Sequence, residues 1–183
     1  MTEREYYELL FGNAIATAHG TNKTMENAAG SGANGVDVLE ALVKSTVATL
    51  IKEITAGEKT GTEVIDLEAL FPAWKKEGKA GDGWHQVGEV VSYNSQVVKC
   101  CQAHNTNHNP DITPESMTFF VPFHTTDPAK AKEFVQPIHA ESAYYIGEVC
   151  IFEDTIKRCK MDGCTYAPDV YPDAWETVEK DVE

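Results

Sequence analysis

GEVVSYNSQVVKCC, residues 88–101, and GEVCIFEDTIKRCK, residues 147–160, are one pattern written twice in a chain of 183 residues. The likeness continues in PDITPESM from Pro110 and PDVYPDAW from Pro168, so the offset is 59 and then 58. Seven of these 22 aligned positions are identical, whereas chance gives on the order of one or two. Within each copy, two short runs rich in Val, Ile, Tyr and Phe flank Asn94-Ser95 or Glu153-Asp154. Such pairs tolerate the positive φ of a tight hairpin, so each copy is read as two strands, a loop and a proline-framed end. The second half of the chain is therefore expected to be two related antiparallel β modules.

Outward from the repeat, the modules are assigned to residues 81–122 and 141–183, with 123–140 as a linker. Units this small have weak cores and lean on aromatic rings, disulfides, a metal or a neighbour. Trp84, Tyr93, Tyr144, Tyr145, Phe152, Tyr166, Tyr171 and Trp175 fall in or beside the copies. Each ring serves either as core or as a flat stacking platform, and the pattern leaves both roles open.

Upstream, Val36, Leu39, Val43, Val47, Leu50, Ile51 and Ile54 recur at intervals of three and four, which predicts an amphipathic helix of about 20 residues ending near Gly57. Such a stripe needs covering, by the C-terminal part of the chain or by identical helices of other subunits, and self-association through residues 36–80 is the expected cover. In the same region Asp66 is read as the cap of a short helical connector carrying Leu67, Leu70, Phe71 and Trp74, stopped by Pro72. Residues 12–35 are Gly-, Ala- and Asn-rich with almost nothing large to bury, the preceding TEREYYELLF is a short aromatic and Leu cluster read either as a docking turn or as a frayed end, and residues 1–35 together are expected to be an attachment arm. The fold class is α+β: arm and helix first, two small all-β modules after.

Charge and motif searches narrow the function. With 15 Lys plus Arg against 29 Asp plus Glu, the formal charge is −14, which disfavours a nucleic-acid partner. The N-terminus has neither a basic nor an apolar leader region, so no signal peptide is expected, and no run of residues is long and apolar enough for membrane insertion. There is no phosphate loop, G-x-S-x-G elbow or HExxH helix, and no carboxylate pair stands out, so the chain is not expected to be an enzyme. Cys100, Cys101, His104 and His108 have a loosely zinc-like spacing, but small buried thiols and a polar loop explain them, and no metal or other cofactor is expected. Five cysteines are an odd number; free thiols are the default, with closure of Cys159 and Cys164 left open for an oxidising setting.

An aromatic residue, Gly-acidic-Val, an aromatic strand end, a basic residue and Cys, a polar loop and Pro-x-x-x-Pro-x-x-Trp together resemble the chitin-binding type-3 modules, carbohydrate-binding families 5 and 12. LFPAWKKEGKAGDGWHQVGEVVSYNSQVVKCCQAHNTNHNPDITPES looks like the version found in tail, fibre and other virion proteins of bacteriophages and prophages. The likeness covers roughly residues 69–117 and 144–175. It implies modules whose exposed rings stack on sugar faces and break no bond. The family's aromatic before the Gly-acidic pair falls on His85 and Tyr144, its loop Trp on His108 and Tyr166, and its terminal Trp on Met117 and Trp175. Its turn Gly falls on Ser95 and Asp154, and the Tyr after it on Val98 and Lys157.

From that resemblance, the expected carbohydrate-binding residues are Tyr144, Tyr166 and Trp175, with Trp84 and His108 in the first copy. The expected protein is a phage or prophage virion component, assembled in the bacterial host cytoplasm. The expected partners are identical copies, as a trimer, together with other virion proteins through the N-terminal region and glycans through the modules. A purely structural decoration or fibre protein without sugar binding is the alternative.

Overall fold

The computed structural model of the chain describes residues 35–178. All of the expected arm except Gly35, and residues 179–183, lie outside them. The chain divides into two compact parts, one up to Lys52 and one from Glu53 onward, and both β repeats lie in the latter. Helix α1 (Gly35–Thr55) runs across that division. It stops at Gly57, where φ is +74°, with Gly57 N–H donating to Ile54 O (3.1 Å) and Glu58 N–H to Glu53 O (2.9 Å). This paired 5→2 and 6→1 closure satisfies the last carbonyls and needs a left-handed residue, which glycine adopts without a Cβ penalty. The side chains of Val36, Leu39 and Val43, three positions of the expected stripe, lie outside the described residues. Among the described residues, no helix is long and apolar enough to cross a membrane.

Helix α2 (Gly61–Asp66) begins at Thr60, whose hydroxyl accepts from Glu63 N–H while the Glu63 carboxylate accepts from Thr60 N–H. Asp66, expected to start a helix, instead ends this one. The T-x-x-E pair satisfies two orphan donors reciprocally, which a lone aspartate cannot. A 3-10 turn, Glu68–Leu70, then leads to Pro72.

Beyond Pro72 the regular structure is mainly sheet. Strands β2 (Val90–Tyr93), β3 (Gln96–Cys100) and β5 (Phe120–Pro122) form a three-stranded sheet, accompanied by the short pair β1 (Trp84–His85) and β4 (His104–Asn105). Strands β6 (Lys132–Glu133), β7 (Val149–Phe152), β8 (Thr155–Cys159) and β9 (Trp175–Val178) form a four-stranded sheet, antiparallel except where β6 joins β7. The hairpins β2–β3 and β7–β8 share one register: Val90 pairs with Lys99 as Val149 pairs with Arg158, and Tyr93 with Gln96 as Phe152 with Thr155. Both turns hold two consecutive left-handed residues, Asn94 (φ 45°) and Ser95 (60°), and Glu153 (48°) and Asp154 (60°). That is the type I′ geometry whose twist matches the strands.

The correspondence reaches further upstream than the sequence pattern. Ala73 bridges Ser92 in parallel, as Glu133 bridges Ile151, and Trp74 N–H donates to Ser92 O at 2.8 Å just as Phe134 N–H donates to Ile151 O at 2.8 Å. In space the repeat thus runs from about residue 72 to 122 and from about 132 to 178. Residues of the expected connector and linker supply an edge to each unit. Downstream, Phe120 pairs with Cys100 as Trp175 pairs with Cys159, so the first unit's counterpart of Trp175 is Phe120 and not Met117. Met117 sits instead in a turn, its N–H donating to Glu115 O at 3.0 Å.

The second residue of each turn carries a testable cost. Serine held in the left-handed region is strained by roughly 1 kcal/mol, and glycine relieves this at some entropic cost. Ser95→Gly is expected to raise stability by about 0.5 kcal/mol in denaturant titration, and Ser95→Val to lower it by more than about 1 kcal/mol.

Candidate functional site

Each unit is built on a stack of rings. Trp74 stacks on His85 (centroids 5.7 Å, 19° between planes) and meets Tyr93 edge-on (5.6 Å, 87°); Phe134 stacks on Tyr144 (5.5 Å, 13°) and meets Phe152 edge-on (5.6 Å, 86°). The third strand closes each stack, with Phe120 against His85 and Trp175 against Tyr144. Tyr144 is 1% exposed and Trp175 5%. Both faces of the Tyr144 ring are covered, one by Phe134 and the other by His124 at 3.7 Å. Its hydroxyl accepts from Val135 N–H at 3.2 Å, and burial pushes its pKa well above the ordinary tyrosine value.

Two of the expected sugar-stacking residues, Tyr144 and Trp175, are therefore core, with no open face to offer a ligand. The reason is size: a sheet of three or four short strands has little aliphatic area to enclose, so its largest rings turn inward.

Tyr166 is the expected binding residue of the second unit that stays outside, at 51% exposure. It is joined by Tyr171, 42% exposed, in an edge-to-face pair with centroids 5.8 Å apart and planes at 83°. The loop between them is folded by Ala167 O, which accepts from Val170 N–H and Tyr171 N–H at 3.0 Å each and so returns Tyr171 beside Tyr166. Buried Trp175 fixes the other end of this loop, its indole N–H donating to Tyr166 O at 3.1 Å. Trp175 is thus a positioning residue for the exposed pair. The sequence named Tyr171 only among the general aromatic residues; its place directly before Pro172, where the first copy has Thr113, is the signal that marks it.

Tyr145, 49% exposed, borders a shallow cleft of about 340 Å³ shared with Pro137, Ile138, Ala143, Gly163 and Thr165. Its backbone N–H donates to the Glu148 carboxylate at 2.8 Å. Burial pushes the Glu148 pKa up to about 6 against the pull of that bond. In the first unit Glu89 occupies the same place and lies 3.2 Å from His85 Nδ1.

The first unit offers less surface. Trp84 is 46% exposed on β1, while its neighbour His85 points inward, so Trp84 does not replace the ring at the His85 position but faces the other way. His108 is exposed in an Asn-rich loop, its N–H donating to Asn105 O at 3.2 Å. His104 is buried, 4.0 Å from Cys100 Sγ, and stacks on His85. Cys101 Sγ instead reaches Thr118 O at 3.5 Å. The zinc-like spacing therefore spreads over core, strand edge and loop, and among the described residues no three His, Cys, Asp or Glu side chains are grouped to hold a metal ion. No protein-family model matches the chain, and no curated protein matches it.

Proposed function

We propose that the chain is a non-catalytic structural component of a phage or prophage virion whose second β unit contacts glycans weakly through exposed tyrosines, with Tyr166 and Tyr171 as the contact. The exposed edge-to-face pair carries this reading. A tyrosine face supplies apolar area to the C–H face of a sugar ring, and its hydroxyl supplies polarity at the rim. Asp169 and Asp173 lie in the same loop region and are exposed, giving acceptors for sugar hydroxyls. Trp84 and His108 of the first unit are a second, smaller candidate contact. The N-terminal arm and helix α1 serve attachment and oligomerisation in this reading, as a trimer, which light scattering on the full chain tests. Many copies on one particle convert weak contacts to useful avidity through effective concentration.

With the full chain on a glycan array or insoluble chitin, Tyr166→Ala and Tyr171→Ala are each expected to weaken binding about tenfold, near 1.4 kcal/mol, with no change in fold. Retention of full affinity in the double variant overturns the assignment. The second reading, a structural protein that binds no sugar, is favoured by the burial of Tyr144 and Trp175. Absence of binding by the folded wild-type chain to every glycan tested leaves that reading in place.

A further inference from the structure

Cys159 closes β8, and Cys164 lies across the turn after it, where its N–H and C=O both bond to Tyr144 (2.8 and 2.9 Å). Both thiols are within the ring core, 1% and 0% exposed, beside Cys150, Tyr144 and Trp175. Each has a carbonyl acceptor two residues downstream, Met161 O at 3.0 Å and Tyr166 O at 3.6 Å, and Cys164 is near enough to help raise the Cys159 pKa. The first unit shows that these two positions face one another by construction: there they are Cys100 and His104, with Sγ and Nδ1 4.0 Å apart. Only the second unit has sulfur on both sides. All five cysteines are free thiols in the structure.

We propose that Cys159 and Cys164 are a redox pair that closes to a disulfide when the protein meets low-molecular-weight disulfides such as glutathione disulfide. One thiol, deprotonated by solvent base, attacks the reagent's S–S bond, forming a mixed disulfide and releasing one glutathione thiolate. The second thiol loses its proton, attacks the protein-side sulfur and expels the other glutathione. The protein gives up two electrons and two protons, and one glutathione disulfide becomes two glutathione molecules.

Desolvation pushes Cys159 up to about 11, so the thiolate is scarce in the closed fold. Exchange therefore proceeds during folding or on opening of the turn 160–163, whose Lys160, Asp162 and Gly163 are exposed. The bond would close only a short loop, yet a unit this small gains from any staple.

The test is refolding of the reduced full-length chain in a glutathione redox buffer, followed by thiol alkylation, intact mass and peptide mapping. The expected product has lost two hydrogens, carries a cross-linked 159–164 peptide, and is alkylated at Cys100, Cys101 and Cys150. Its thermal midpoint is expected to lie roughly 5 to 10 °C above that of the reduced form and to fall back on reduction. Cys164→Ser is expected to abolish the cross-link and the shift together. Alkylation of all five cysteines in a buffer that oxidises a control dithiol, a bond involving Cys100, Cys101 or Cys150, or an unchanged midpoint overturns the proposal. The mapping is done on the wild-type chain and does not depend on the variant folding.

Discussion

Tyr144→Ala is expected to remove about 4 kcal/mol of stability and to melt the second unit, the range set by deleting a fully buried large ring and leaving a cavity. Tyr144 stacks between His124 and Phe134 and meets Trp175 edge-on, so its loss strands three other rings at once. Tyr144→Phe keeps the stack and leaves only the Val135 N–H without its acceptor, for a loss of about 1 kcal/mol. Tyr166→Ala, by contrast, is expected to stay within about 0.5 kcal/mol of wild type, because an exposed ring gives up little buried area. Urea titrations of the three variants check the ordering. Equal losses at Tyr144 and Tyr166 would mean that the division into core and contact rings is wrong.

The second large effect is a pH response centred on His124. Burial between the Tyr144 ring and the backbone pulls its pKa from 6.5 to about 4, while its Nε2–H donates to Ser142 O at 3.0 Å. The folded state holds the imidazole neutral, and the unfolded chain protonates it near pH 6.5. Stability from this group is therefore complete above pH 6.5 and lost as pH falls toward 4, by about 3 kcal/mol at 1.36 kcal/mol per pH unit. Glu148 acts in the opposite sense. Its pKa rises from 4.5 to about 6, so its contribution is present below pH 4.5 and is lost as pH rises through 6.

The two groups partly cancel in the wild-type profile, so the clean measurement is a difference. His124→Phe keeps a ring on Tyr144 and removes the titration. The advantage of wild type over His124→Phe is expected to shrink by about 3 kcal/mol between pH 7 and pH 4, with Glu148 common to both chains. A difference that does not vary with pH refutes the assignment to His124.

The hairpins were legible because their determinants are local. Asn94-Ser95 and Glu153-Asp154 sit between β-branched and aromatic runs, and type I′ turns need little else. Helix α1 was equally readable from its three-four spacing and Gly57. The edges escaped: Ala73 and Lys132–Glu133 pair over only one or two residues, too few for any alternation to show. Trp74 and Phe134, 60 positions apart and each at the start of a ring stack, are the trace that the sequence did carry.

The candidate site was half legible for a related reason. Tyr166 lies in a loop and is exposed, but Tyr144 and Trp175 lie on paired backbone where one residue's shift in register exchanges inside for outside. Unequal loop length also hides the equivalence of Phe120 and Trp175. From the second proline of each pair to the first residue of the third strand is six positions in one unit, Pro114 to Phe120, and three in the other, Pro172 to Trp175. A ring's likeness in sequence therefore did not reveal which way it faces.

Helix α2 and the turn after it are tied to the segment that opens the second unit: Thr62 accepts from Thr126 N–H at 2.9 Å, and Asp66 and Glu68 pair with Lys130 and Lys132. These partners are 64 residues apart, with the whole first unit between them. On the ribosome the early residues of that tie emerge long before their mates, so its closure is a late, high-contact-order event that waits on the intervening unit to compact. Trimming the chain at residue 80 would remove Thr62, Asp66, Glu68 and Trp74 together, leaving one head without its lid ring and the other without its anchor.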